Sequence, residues 1–140
     1  MTEEYQELKS LWVKWGKVGD NIEGTFIDRR EMDSTLPGKE GTKTNVYEIK
    51  ADRGSYHDLD EKKNPVDPAV SVIPGEVYLV GGRMGIDAMM RRVKLGQKVK
   101  FLFSEKKKAT KKGFNDLKII KVLAGKMDEE WMAGKDGEVN

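Results

Sequence analysis

The stretch IDAMMRRVKLGQKVKFLFSE (residues 86–105) decides the fold, because it predicts a short helix followed directly by a strand. In its first half, apolar residues recur at the i, i+3, i+4 and i+7 spacing of one helix face, and Gly96 is a stop signal. In its second half, apolar residues alternate with lysines, which is typical of a strand with one buried face. The helix face holds Ile86, Met89, Met90 and Val93, and the strand face holds Val99, Phe101 and Phe103. The phenylalanines at 101 and 103, with Phe26 in the first strand, are predicted to lie in the core.

Four further segments have the pattern of short strands. Residues 22–27 alternate in polarity, and Gly24 among them predicts a bulge or a sharp bend. Residues 45–51 and 76–82 follow, and the DRG sequence at 52–54 predicts a hairpin turn after the first of these two. Residues 114–124 form the last predicted strand. The polar residues 33–44 and the proline-containing residues 55–76 are predicted to be loops.

The predicted order is three strands, a short helix and two strands. This order is the topology of the OB-fold, a small five-stranded Greek-key barrel whose exposed face and loops bind oligonucleotides. An SH3-like barrel does not normally have a helix at this place, and a β-sandwich needs about seven strands. We therefore expect a mainly β protein, a five-stranded OB-fold Greek-key barrel with a short helix between strands three and four.

The two ends of the chain are predicted to flank this barrel. Residues 2–15 place Leu8, Leu11, Trp12 and Trp15 at helical spacing, which predicts an N-terminal helix, although both tryptophans also fit an extended lead-in to the first strand. We expect residues 1–125 to form the OB-fold nucleic-acid-binding domain and residues 126–140 to form an acidic, flexible tail.

Composition and charge limit the classes of protein to consider. The 140 residues fit one domain, with 37% hydrophobic and 36% charged residues. The sequence has no cysteine, no signal-peptide pattern and no apolar run long enough to span a membrane, which fits a cytoplasmic protein. Residues 128–140 hold five acids and one lysine, hence −4, so the rest of the chain carries +6 of the net charge of +2. A basic body of this kind favours polyanionic partners.

The sequence contains none of the motifs that would indicate a catalytic site. There is one histidine, His57, in a predicted loop without a nucleophile motif. Neither a zinc-ligand cluster nor a calcium loop is present, and no glycine-rich segment has the lysine and hydroxyl residue of a phosphate loop. We therefore expect a protein without enzyme activity, metal or cofactor.

Binding of a single-stranded nucleic acid fits the residues better. Such binding needs cations that follow the phosphates and aromatic faces on which bases stack. The candidate cations lie at predicted strand ends and hairpins: Arg29, Arg30, Lys50, Arg53, Arg83, Lys106, Lys107, Lys108, Lys111 and Lys112. The candidate stacking residues are Tyr47, Tyr56 and Phe114, whereas Trp12 and Trp15 are better explained by packing. The lysine-rich tip also fits a solvated hairpin whose charges prevent edge pairing.

Four segments together resemble the small OB-fold single-stranded DNA-binding proteins of phages and bacteria. They are VGDNIEGTFIDRR (18–30), YEIKADRG (47–54), YLVGGRMGIDAMMRRVKLGQKVKFLF (78–103) and KKGFNDLKIIKV (111–122). The shared pattern is a glycine-led first strand, a glycine before the helix, and a lysine-rich turn followed by glycine and an aromatic residue. It covers roughly residues 12–123.

This resemblance implies single-stranded DNA binding in replication, recombination or repair, in a bacterial cell or a phage-infected host. It also implies recruitment of a replication or repair protein by the acidic tail. The sequence leaves the oligomeric state open, with a homo-oligomer as one of the alternatives. The tail ends in GEVN, however, and lacks the acidic-aromatic terminus of the best-known bacterial members. Two alternatives stay open from the sequence: an OB-fold that binds RNA, and a protein-interaction or phage accessory module without nucleic-acid binding. A tail that competes for the groove predicts tighter DNA binding after truncation at Lys126.

Overall fold

The computed structural model describes residues 4–5, 10–33, 41–108 and 117–138. Within these ranges the chain is mainly β, as expected. Its elements are β1 (Leu11–Trp12), β2 (Asn21–Asp33), β3 (Lys43–Leu59), β4 (Pro65–Ser71), β5 (Val77–Gly81), α1 (Met84–Met90), β6 (Gln97–Lys107), β7 (Leu117–Met127) and α2 (Glu129–Glu138). None of the helices in the described part is long and apolar enough to cross a membrane.

The described strands form one open sheet in the order β1-β5-β3-β2-β6-β7, and β4 pairs with β3 beside this path. The sequence predicted five strands, but the described part of the chain has seven. The two additional strands are β1, which pairs with β5, and β4, which pairs with β3. Strand β3 continues past the predicted turn at 52–54. Its first half pairs with β5, and its second half pairs with β4 inside the predicted loop 55–76. The prolines of β4 are tolerated because β3 is its one partner in the sheet.

Two glycines explain how β2 and β3 pair closely. The register shifts between Glu23 and Gly24, so the predicted bulge is confirmed. A Cβ atom at Gly24 would overlap the Lys50 carbonyl oxygen, and one at Gly54 would lie 2.5 Å from the Asn21 carbonyl oxygen. Gly54 also has a φ of 149°, and it lies within β3 rather than in a hairpin turn. Only glycine allows the two backbones to approach this closely.

The N-terminal segment corrects the predicted helix where the structure describes it. Residues 11–12 form β1, which runs parallel to β5, and the Val13 N–H donates to the Leu79 carbonyl at 3.0 Å. The Trp15 side chain is 3% exposed and belongs to the core. Pairing with a sheet edge and burial of Trp15 therefore override the helical spacing, and the extended lead-in is the arrangement observed.

The core lies on the inner face of the curved sheet and under α1. The predicted core positions Phe26, Phe101 and Phe103 are all buried, which confirms the alternation in β2 and β6. Helix α1 ends before the predicted stop signal at Gly96. It ends at Met90, and the Gly96 N–H then donates to the Phe26 carbonyl at 2.7 Å.

The acidic C-terminal segment begins with an anchored helix, in contrast to the expected flexible tail. The Asp128 carboxylate accepts hydrogen bonds from Thr25 and from the Glu130 backbone N–H, and it lies 3.4 Å from Lys98 Nζ. The Thr25 hydrogen bond, helped by nearby donors and Lys98, lowers the pKa of Asp128. The Trp131 ring packs against Gly96 so closely that a Cβ there would overlap it. The first turn of α2 is thus part of the folded body.

Candidate nucleic-acid interface

Two of the three predicted stacking residues are in the core. Tyr47 is 1% exposed, and its hydroxyl donates to Asp87 Oδ1 at 2.6 Å. Tyr56 is 4% exposed and packs edge-on against Tyr78, and desolvation raises its pKa to about 12. Neither ring can offer a face to a base, so the prediction for both is wrong. Tyr47 shares its strand face with Ile49, and this face is the buried one. Tyr56 lies within β3 rather than in the predicted loop 55–76, and it is buried there.

The predicted cations fall into separate groups. Arg29 and Arg30 are exposed on the distal half of β2, and Lys50 and Arg53 are exposed on β3, where Arg53 forms an ion pair with Glu23 at 3.2 Å. Neither pair of residues lines the groove described below. Lys107 and Lys108 are exposed at the end of β6. The remaining predicted residues, Lys111, Lys112 and Phe114, lie outside the residues that the structure describes.

Arg83 and Lys106 belong to an open groove that we call the basic groove. Its volume is about 710 Å³, and it lies between the N-terminal lead-in, the β3–β4 hairpin and the β6–β7 hairpin. Five cations and two tryptophans line it, with two aliphatic residues and a glycine: Trp12, Val13, Lys14, Trp15, Leu59, Lys63, Gly81, Arg83, Lys106 and Lys118. None of these lining residues is acidic.

The electrostatics of Lys118 show that these positive charges are close to one another. Desolvation is the largest cause of a lowered pKa at Lys118, and the charges of Arg83 and Lys106 come next. Lys63 acts in the same direction, while Asp20 opposes it. Lys118 Nζ also donates to the Trp15 carbonyl at 2.6 Å, which fixes the ammonium group at the groove wall. Like charges held this close favour an anion between them.

Arg83 stands at the same groove, just before α1. Its side chain is exposed, yet the surrounding protein removes enough water to lower the pKa of its guanidinium. A partly desolvated guanidinium has planar donors that suit phosphate oxygens and aromatic faces. Arg83 is therefore suited to contact a phosphate at the groove wall.

The aromatic residue of the groove is Trp12. It pairs with Leu79 in the β1–β5 ladder, its side chain is half-buried, and a Cβ at Gly81 would lie 3.9 Å from its ring. The absence of a side chain at Gly81 leaves space beside the ring. Trp15, in contrast, is only 3% exposed and belongs to the core, although it lines the groove as well.

Sequence reasoning missed Lys14, Lys63 and Lys118 and treated Trp12 as packing. Both Lys118 and Lys121 interrupt the apolar part of the last strand, so the sequence alone did not single out Lys118. Lys14 and Lys63 lie in segments without a motif. They meet only because β1 pairs with β5 and the β3–β4 hairpin folds beside them.

The described ranges contain no group of three or more His, Cys, Asp or Glu side chains that could hold a metal ion. His57 is engaged with two carboxylates, at 2.7 Å from Asp20 Oδ1 and 3.4 Å from Asp67 Oδ1.

Comparisons of this chain with protein-family models, with curated proteins and with solved structures find no match.

Proposed function

We propose that this protein binds single-stranded DNA with little sequence preference and acts by binding alone. The observation that carries the proposal is the basic groove, where five cations and the half-buried Trp12 converge and no lining residue is acidic. Phosphates need cations along a path, and unpaired bases need an aromatic face. The groove offers both in one place.

The chemistry of the groove explains why a polyanion suits it. Desolvation, followed by the charges of Arg83 and Lys106, disfavours the charged form of Lys118 and lowers its pKa. A bound phosphate offsets the effect of these charges and favours the charged form of the lysine. Binding then releases counterions from the nucleic acid, so affinity falls as salt rises.

We further propose that the sheet is a partly open OB-fold. Support comes from strand order: β6, β2, β3 and β5 lie side by side, which is the 4-1-2-3 arrangement of a Greek key. Helix α1 connects β5 to β6, and β7 follows β6 at the sheet edge. An OB-fold binds oligonucleotides through its strand face and the loops beside it. One such loop would hold Lys111, Lys112 and Phe114, whose role as phosphate and base contacts stays a prediction.

The test is a titration of the full chain with an oligo-dT at low salt, in which tryptophan fluorescence is the measured signal. We expect quenching, an affinity that falls steeply with salt, and clearly weaker binding of a duplex of equal length. An RNA oligomer of matched sequence, used as competitor, decides between DNA and RNA. Equal affinity for the duplex, or no binding at low salt, would refute the proposal.

A further inference from the structure

Two segments distant in sequence form walls of the basic groove. The first is the lead-in, residues 13–20, which contributes Lys14 and Trp15. The second is the β3–β4 hairpin, residues 55–71, which contributes Leu59 and Lys63. The separation of these two walls decides how far Lys63 stands from the other cations.

The tip of the hairpin is held together by its own hydrogen bonds. Asp60 Oδ1 accepts from the backbone N–H groups of Lys62 and Asn64, and the Lys63 N–H donates to the Asp60 carbonyl at 2.9 Å. Lys63 therefore moves with the hairpin as a unit. Its place in the groove depends on where the body of the hairpin is attached.

Besides the pairing of Ser55 with Asn21 in the sheet, the hairpin is attached through the Asp20 carboxylate, whose residue is 3% exposed. Its Oδ2 atom accepts from the backbone N–H groups of Gly16, Lys17 and His57 at 2.9, 3.0 and 2.9 Å. Its Oδ1 atom lies 2.7 Å from His57 Nδ1. One buried carboxylate thus joins the lead-in to β3.

A second set of contacts connects the lead-in and His57 to β4. His57 Nε2 lies 3.4 Å from Asp67 Oδ1, and that oxygen accepts from Lys17 Nζ at 2.8 Å. The two backbones also touch, because a Cβ at Gly16 would lie 2.6 Å from the His57 carbonyl oxygen. The lead-in and the hairpin are therefore fixed to each other at one place, next to the groove.

We infer that Asp20 and His57 are positioning residues, which fix the two walls of the basic groove and hold Lys63 at the distance a single-stranded nucleic acid requires. This inference rests on the proposed function for its effect on binding. Neither Asp20 nor His57 lines the groove itself, so both act through the residues that do.

The test is a double-mutant cycle in the full chain between His57→Ala and Lys63→Gln. Alone, Lys63→Gln should reduce the magnitude of the salt slope for oligo-dT by about 0.7, the value for one phosphate contact on a single strand. In the His57→Ala background the same substitution should have less than half of this effect, because Lys63 is no longer held in place. Effects that add fully would overturn the inference.

Matched variants separate positioning from loss of stability. His57→Asn keeps an N–H group where Nδ1 faces Asp20, so its salt slope and its coupling to Lys63 should match those of the wild type. Thr25→Val removes the Asp128 hydrogen bond far from the groove, so it should lower stability and leave the coupling unchanged. Asp20→Ala removes more of the contacts between the two walls than His57→Ala does. If Asp20→Ala does not fold, His57→Ala still provides the test.

A measurement without ligand completes the design. Amide hydrogen exchange in residues 55–71 should be at least tenfold faster in His57→Ala than in the wild type and in Thr25→Val. If the wild type binds oligo-dT but exchange and coupling are unchanged, the inference fails and the proposed function stands. If the wild type does not bind oligo-dT, the proposed function fails together with the part of the inference that concerns binding.

Discussion

The salt dependence of binding is the sharpest quantitative consequence of the basic groove. If each of its five cations contacts one phosphate of a single strand, the slope of log K against log salt is about −3.5. Affinity for oligo-dT should then fall about 130-fold between 50 and 200 mM salt. Replacing Lys14 and Lys106 by glutamine removes two contacts, one from the lead-in and one from β6. The slope should become about −2.1, with a loss of about 20-fold over the same range.

The control is the double variant Arg29→Gln, Arg30→Gln. It removes the same charge from exposed positions on β2 that do not line the groove. Fluorescence anisotropy of a labelled oligo-dT, repeated at four or five salt concentrations, gives the slope for each protein. We expect the control to keep the wild-type slope within about 0.5, because a charge outside the groove displaces few condensed ions from the strand. Equal slopes for the two double variants would refute the assignment of the groove as the binding site.

Three further predictions concern other parts of the molecule. Trp12→Ala should weaken oligo-dT binding by about 1–3 kcal/mol in an anisotropy titration, because one base loses its stacking partner. A chain that ends after Lys126 should melt at a lower temperature, because the contacts of Trp131 and Asp128 are lost. Its affinity for DNA should stay within about twofold of that of the full chain, because screened charges act over only about 10 Å. Gly24→Ala should lower the free energy of unfolding by at least about 2 kcal/mol in a denaturant titration, because the Cβ would overlap the backbone of β3.

The two substitutions have control variants within the same chain, and the truncation has a contrary outcome. Trp131→Phe should leave DNA affinity unchanged, so equal losses in the Trp12 and Trp131 variants would contradict stacking on Trp12. Gly85→Ala places a methyl group where nothing lies within 4 Å, and it should be neutral or stabilising by up to about 1 kcal/mol. Tighter DNA binding by the truncated chain would support the tail as a competitor for the groove.

The expected outcome for the truncated chain follows from the length of the last hairpin. Gln97 pairs with Met127 at one end of β6–β7, and Lys107 pairs with Leu117 at the other. Ten residues of strand span about 33 Å, about three times the screening length at 0.1 M salt. The anchored first turn of α2 therefore acts on the groove only weakly.

Much of the sheet could be predicted from local patterns. Period-2 alternation identified β2 and β6, and it placed Phe26, Phe101 and Phe103 correctly in the core. Gly24 marked the bulge, because a glycine within a strand usually indicates close approach of another backbone. These features depend on neighbours in the sequence, which is why the sequence reveals them.

The parts that were missed depend on contacts between distant segments. Strand β1 has two residues and exists only because the edge of β5 is open to it. Strand β4 contains prolines, which in the sequence predict a loop. It is a strand because it pairs with the second half of β3. The basic groove combines residues from β1 and the lead-in, the β3–β4 and β6–β7 hairpins, and the segment that joins β5 to α1. Scattered lysines have no shared motif, so only the fold brings them together.

The central claim is that a single strand of DNA lies in the basic groove, and chemical-shift mapping tests it most directly. Addition of oligo-dT to ¹⁵N-labelled protein should shift the indole signal of Trp12 and the backbone amides of Lys14 and Lys118. The indole signal of Trp131, packed against Gly96 at the far end of the hairpin, should stay in place. Shifts confined to Arg29, Arg30 and their neighbours, or no shifts at all, would contradict the account.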